Sequence, residues 1–243
     1  MPLFSIITVS YNSEKTISET IEGVLNQTID DFEYLIIDGA SRDNTVAIAN
    51  SYKEKFANRG VTYQVISEKD KGMYDAMNKG IARSCGGIIG IINSDDYYST
   101  DALEQVKAFY RKEPFDVMYA DVRIFGNGKD YIKRSRHTRR FNTRFWNHPT
   151  TFVARAVYED FRFACESIYD DLDFMLTMIE RKKTIRILNK VLAHFRIGGV
   201  SNERSWSRRT ERIRLRNRIY KRHNQTGYRF NNWLIETAKY FLG

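Results

Sequence analysis

The run from Gly90 to Ile92 is apolar, and it ends in Asn93-Ser94-Asp95-Asp96. Adjacent carboxylates repel one another and resist desolvation, so a pair closing a buried strand calls for a neutralising partner. A bound cation does this, with oxygen ligands if the cation is hard. Such a cation at the carboxyl end of a strand in an α/β sheet serves a phosphorylated substrate. A second concentration of acids, Asp170-Asp171-Leu172-Asp173, opens a stretch with Leu172, Met175, Leu176 and Ile179 at helical spacing. At least one acid in that position suits the cap of the helix. Polar clusters also follow three other apolar runs: Ser10-Tyr11-Asn12, Asp38-Gly39-Ala40-Ser41 and Ser67-Glu68.

The elements that must position these groups follow from pattern. Phe4–Val9, Phe32–Asp38, Val61–Ser67 and Gly86–Asn93 read as buried strands. Between them, Ser13–Gln27 reads as a helix with Ser13 as its N-cap, a second helix opens at Ser41-Arg42-Asp43-Asn44, and a third covers Tyr74–Ser84. This alternation implies α/β architecture with a parallel sheet and right-handed crossovers, whose ligands gather beyond the strands' carboxyl ends. After Asp101 the pattern is mixed. It comprises a helix over Asp101–Arg111, a strand over Asp116–Phe125 turning at Asn127-Gly128 into Tyr131–Ser135, and a strand over Thr150–Ala154. A helix over Asp170–Arg181 and a strand over Lys183–Phe195, broken at Asn189-Lys190, complete it. Ser205–Arg222 reads as a helix and Trp233–Leu242 as another.

The 243 residues suffice for one substantial core plus an appended element. Cys85 and Cys165 have no metal-ligand spacing and fit a reducing compartment. No leader peptide is expected at Met1-Pro2-Leu3-Phe4-Ser5, and no stretch approaches the roughly 18 apolar residues of a spanning helix. Nearly all of the formal charge of +9 lies in residues 204–222, where nine basic side chains face one acid, Glu211.

The ordered set SIITVSYN (5–12), DGASRDNT (38–45), SEKDKGMYDAMNKGI (67–81), INSDDYY (92–98), NHPTTFVAR (147–155), DDLDFML (170–176) and FRIGGVS (195–201) resembles the family-2 inverting glycosyltransferases of GT-A fold. Within that family the sequence looks most like bacterial enzymes of surface or capsular polysaccharide synthesis. The resemblance implies a catalytic domain over 1–200, with a nucleotide-binding half over 1–100 and an acceptor half over 101–200, and leaves 201–243 as a basic tail. It implies transfer of one sugar from a nucleotide donor, UDP being expected, to a saccharide or lipid-linked acceptor. A divalent cation, Mn2+ or Mg2+, would be held by Asp95 and Asp96, and Asp95 would also contact the nucleotide. Ser10, Tyr11, Asn12, Asp38 and Asp75 are the other expected nucleotide contacts. Asp171 is the expected catalytic base, with Asp170 its rival. His148 is expected at an acceptor or donor sugar, a structural role being the alternative, and Gly199 and Ser201 at the sugar or diphosphate. Asn93 and Gly39 are departures, because many relatives carry an acid at the first position and some at the second.

Two readings of the tail stand side by side. Trp206, Ile213 and Tyr220 recur at seven-residue spacing, with Leu215 and Ile219 as a second pair. An arginine-rich amphipathic helix suits an anionic membrane surface, which would place the protein in the cytoplasm on the inner face of the membrane. It equally suits packing on the core or a homodimer. Lys133, Arg134, Arg136, Arg139 and Arg140 form a second basic cluster. Alternative functions are a nucleotidyltransferase, a nucleic-acid-binding protein using the tail, and a degenerate sugar-nucleotide binder. The first needs a glycine-rich basic loop after the first strand, and Ser10–Ser13 offers none.

Overall fold

A computed structural model describes residues 1–138, 141, 143–198, 206–225, 228, 230, 232–234 and 237, with backbone alone at 206–208. The described strands form one nine-stranded sheet. Its first half is parallel: β1 (Phe4–Ser10) lies between β2 (Phe32–Asp38) and β4 (Ile88–Asn93), and β2 also pairs with β3 (Thr62–Ser67). The registers Ser10↔Asp38, Val9↔Asn93 and Asp38↔Ser67 bring the polar carboxyl ends of four strands to one edge. β1 and β2 are buried along their whole length, as expected of strands covered on both faces.

The second half is mixed. β8 (Phe152–Ala154) runs antiparallel to both β4 and β6 (Val117–Gly126). β6 turns at Asn127-Gly128 into β7 (Lys129–Lys133) and pairs in parallel with β9 (Ile185–Arg196). The predicted break in β9 is a bulge: Ala120 faces Leu188 and Asp121 faces Val191, so Asn189 and Lys190 have no partner position on β6. β5 (Tyr97–Tyr98), just after the Asp pair, lies antiparallel to β9 with Tyr97 opposite His194. That register carries the end of β9 to the end of β4.

The helices are α1 (Ile17–Leu25), α2 (Thr45–Asn50), α3 (Lys53–Asn58), α4 (Met73–Arg83), α5 (Ala102–Lys112), α6 (Asp170–Glu180) and α7 (Trp206–Arg222). Several begin later than expected. Ser13 does not cap α1; its hydroxyl meets Ser94 Oγ at 2.7 Å, and its carbonyl accepts the amides of Thr16 and Ile17. Ser41 and Asp43 do not start α2, because both side chains are spent on the turn itself, on Asp38 and on Thr45. The expected strand at Thr150 starts at Phe152, since His148–Thr150 form a 3-10 turn. α4 lies close on the sheet at Gly80, where a Cβ would come within 2.6 Å of Ile7 Cγ2. Beyond α7, residues 232–234 and 237 are helical.

The tail helix carries both a buried and an exposed arginine face. Arg209, Arg212, Arg216, Ile219, Tyr220 and His223 are buried, and their spacing places them on one side of the helix. Ile219 and Tyr220 pack on Leu172 and Leu176 of α6. The Arg216 guanidinium lies 5.1 Å over the Tyr169 ring and donates to Thr143 Oγ1 at 2.6 Å. A planar guanidinium tolerates such burial because it stacks and donates at once, which an ammonium does not. Among the described residues no helix is long and apolar enough to cross a membrane.

Candidate active site

Asp96 is fully buried at the end of β4. Its Oδ1 accepts the amide of Arg196 at 2.9 Å, and its carbonyl accepts the Thr20 hydroxyl at 2.7 Å. Its Oδ2 is buried with no hydrogen-bond partner among the described residues, as is Asn93 Oδ1. Burial, then repulsion from Asp95, pushes the Asp96 carboxyl well above the usual range. Burial also pushes Asp95 up, against the pull of its own amide and of Arg196. Two buried acceptors without donors are costly to leave bare. Among the described residues no group of three or more His, Cys, Asp or Glu gathers as a metal cage. The pair therefore fits a hard cation that takes one or two carboxylates from protein and the rest of its shell from phosphate and water. Asn93 keeps an oxygen in that position while removing one negative charge.

Arg196, the last residue of β9, was not singled out in the sequence. Its Nε reaches the Asp95 carbonyl at 3.4 Å, its guanidinium lies 4.7 Å over the Phe125 ring, and it is also bonded to Glu19. It brings positive charge beside the Asp pair and beside any diphosphate drawn there. The signal available was an arginine closing an apolar strand just before Gly198.

The expected nucleotide contacts divide. Tyr11 is 60% exposed at the end of β1, an open aromatic face. Asn12 adopts φ 49°, and its side chain accepts the amide of Arg42 at 2.9 Å. Asp38 is 1% exposed. Its Oδ1 accepts the hydroxyls of Ser10 and Ser41 at 3.1 and 2.5 Å; its Oδ2 accepts the Ser67 hydroxyl at 2.7 Å and the Ser41 amide at 2.9 Å. All its acceptor capacity is used, so a ligand must displace one of these donors to reach it. A Cβ at Gly39 would lie 2.5 Å from Asp70 Oδ2. An acid from the loop after β3 thus lies over the position where position 39 itself lacks one. Asp75 is occupied by the Lys71 amide at 3.1 Å and by Lys79 at 3.3 Å; the amide first, then Lys79, holds its carboxyl low against the effect of burial.

Asp170 and Asp171 occupy different environments. Asp170 is 4% exposed and accepts the amides of Glu166 and Ser167 at 3.2 and 2.9 Å, with the Ser167 hydroxyl at 3.2 Å. It organises the turn entering α6. Asp171 meets the Leu172 amide at 2.7 Å. Burial raises its carboxyl above the usual range, while His148 and that amide pull it back. The turn is fixed from α4: Tyr74 donates to Ile168 O at 3.2 Å, and Asn78 both donates to and accepts from Phe163 at 2.8 and 3.0 Å. His148 stands at the start of its 3-10 turn. Burial pushes its imidazole down, Asp171 pulls it up, and its Nε2 is buried with no hydrogen-bond partner. Asn147 anchors that turn through Nδ2 to Ala120 O and Ser135 Oγ, both at 2.9 Å. Of the remaining expected site residues, Gly199 and Ser201 lie outside the described residues, as do Arg139 and Arg140 of the second basic cluster.

The model of the family described as glycosyl transferase family 2 matches residues 5–168. A mycobacterial protein, the PGL/p-HBAD biosynthesis glycosyltransferase of Mycobacterium bovis, is 35% identical over 123 residues, 50% of this chain and 47% of that protein. Escherichia coli chondroitin synthase is 33% identical over 165 residues, 60% of this chain and 24% of that one. The chain thus spans about half the length, or less, of these curated relatives. Among solved structures, S. aureus TarS 1-349 in complex with UDP-GlcNAc superposes with TM-score 0.70 at 20% identity, over 100% of this chain and 73% of that chain. Mannosyltransferase PcManGT from Pyrobaculum calidifontis, in complex with GDP-Man and Mn2+, gives 0.69 at 15%, over 100% and 70%. These likenesses carry the α/β GT-A-like fold.

Proposed function

The chain belongs to glycosyl transferase family 2, and from that premise we propose that it is an inverting, cation-dependent glycosyltransferase. It would move one sugar from a nucleotide-sugar donor to a saccharide or lipid-linked acceptor in polysaccharide synthesis. The observation that carries the reading is the pair of buried, partnerless oxygens, Asn93 Oδ1 and Asp96 Oδ2, at the carboxyl end of a central strand. A UDP-sugar is favoured as donor by the likeness to a protein solved with UDP-GlcNAc.

In this scheme Asp95 and Asp96 would hold a divalent cation beside the donor diphosphate. Arg196 adds a second positive charge, and exposed Tyr11 offers its ring to the base. When bound, that cation would supply electrostatic stabilisation of the leaving diphosphate. Asp171 accepts the acceptor hydroxyl's proton as that oxygen attacks the anomeric carbon. The bond from that carbon to the diphosphate oxygen breaks in the same displacement. The nucleoside diphosphate leaves, and the anomeric centre inverts. Asp170 and Asn78 keep Asp171 at the head of α6, which is where the reaction gains from fixed orientation. His148 faces Asp171 and tunes its basicity.

The exposed Arg214, Arg218 and Lys221 lie on the outer side of α7, where they suit an anionic membrane carrying the acceptor. Incubation of the full chain with UDP-sugars and Mn2+, followed by NMR of the released or transferred sugar, tests the proposal. An inverted anomer formed only with cation supports it. Absence of turnover with every sugar nucleotide, with or without a saccharide acceptor, contradicts it.

A further inference from the structure

A cleft of about 590 Å3 has none of the expected nucleotide contacts among its described lining residues. Among the described residues it is lined by Tyr131, Lys133, Arg134, Arg136, Arg144 and Phe145, four cations and two aromatic rings with no acid among them. We propose that this cleft is an acceptor-side anion subsite, which takes the diphosphate or phosphate of a phosphorylated acceptor. The proposal rests on the glycosyltransferase reading and names the acceptor class for it.

The walls of the cleft are built. Arg134 pairs with Asp121 Oδ2 at 2.8 Å, and that fully buried carboxylate also accepts the Ser135 amide at 2.7 Å. Lys133 Nζ is held on the carbonyls of Trp146 and Thr143 at 2.9 and 3.3 Å. The Arg136 amide donates to Phe145 O at 3.2 Å, tying one wall to the other, and the Arg144 guanidinium lies 5.9 Å over the Phe145 ring. Among the described residues the Arg136 guanidinium is exposed and meets no partner. A lining of several cations matches a multiply charged phosphate group better than a single carboxylate, and guanidinium forks suit its oxygens. Half-exposed Tyr131 and part-buried Phe145 add apolar faces for the group esterified to that phosphate.

The cleft adjoins, along the chain, the turn that carries His148. Lys133 is bonded to Trp146 O, and His148 follows two residues on, a span of at most about 7 Å. Asn147, between them, is bonded to Ser135 of the same wall. His148 in turn acts on Asp171. In this proposal an acceptor whose hydroxyl reacts at Asp171 would carry its phosphate into the cleft, apart from the donor diphosphate.

The test is calorimetric titration of the full chain, first saturated with UDP and Mn2+, using geranyl diphosphate, glucuronate and phosphatidylglycerol vesicles as probes. Geranyl diphosphate should bind, and Arg136→Glu and Arg144→Glu should each weaken it at least tenfold with UDP affinity unchanged. Equal affinity in wild type and both variants would overturn the proposal. So would glucuronate binding as tightly as the diphosphate, or Arg136-dependent binding of vesicles alone. Failure of UDP to bind while geranyl diphosphate still depends on Arg136 would count against the donor site and leave the cleft standing.

Discussion

The Arg196 amide donates to Asp96 Oδ1 at 2.9 Å, while the other oxygen of the same carboxylate is buried with no donor. One side of Asp96 is thus fastened to the end of β9 and the other is buried without a donor among the described residues. A carboxylate half-satisfied in this way is destabilising on its own and becomes favourable when a cation completes it.

Asp96→Asn should therefore separate stability from ligand response. Removing the buried charge should leave the metal-free protein as stable as wild type or more so, by roughly 1 kcal/mol. The extra stabilisation that Mn2+ with UDP gives the wild type should vanish. Thermal unfolding with and without those ligands measures both effects.

Asp170 and Asp171 should fail differently. Asp171→Asn should keep its fold and its UDP affinity and lose transfer by about 10²–10⁴-fold, the usual worth of a positioned base. Asp170→Ala leaves the amides of Glu166 and Ser167 without their acceptor, and should cost about 1–3 kcal/mol of stability. Denaturant titration beside a transfer assay distinguishes them.

The pH profile follows from the burial of Asp171. As the proposed base, Asp171 would work only when ionised, and burial raises its carboxyl, so activity should rise with pH through an inflection above the ordinary aspartate range. His148 lowers that carboxyl, so His148→Gln should move the acid-side inflection of kcat/KM to higher pH. An unchanged inflection would remove His148 from this role.

Neighbouring arginines of α7 should not be equivalent. Arg216→Ala loses the stacking on Tyr169 and the bond to Thr143, and should cost about 1–3 kcal/mol. Arg218 is exposed, and its replacement by Ala should change stability by less than about 0.5 kcal/mol. Urea midpoints of the two variants give the comparison.

The sheet was legible because apolar strands announce themselves by composition and their polar ends by contrast. The bulge at Asn189-Lys190 and the hairpin at Asn127-Gly128 were legible for the same local reason. What local pattern hides is long-range approach. Arg196 lies 100 positions from Asp96 and reaches it only because β5 pairs with β9. Asp70 lies over Gly39 through the β2–β3 pairing. The saturation of Asp38 needs Ser10 and Ser67 from two other strands. The burial of Arg209, Arg212 and Arg216 was hidden because arginine on an amphipathic helix reads as solvated until a stacking partner is known.

The central claim is that the carboxylates closing β4 hold a cation-bound nucleotide diphosphate. Isothermal titration of UDP into the full chain, with Mn2+ and then with the metal chelated, tests it most directly. The account predicts binding with Mn2+ that weakens at least tenfold on chelation, and the same loss in Asp96→Asn with the metal present. UDP binding of equal strength in all three cases would contradict it.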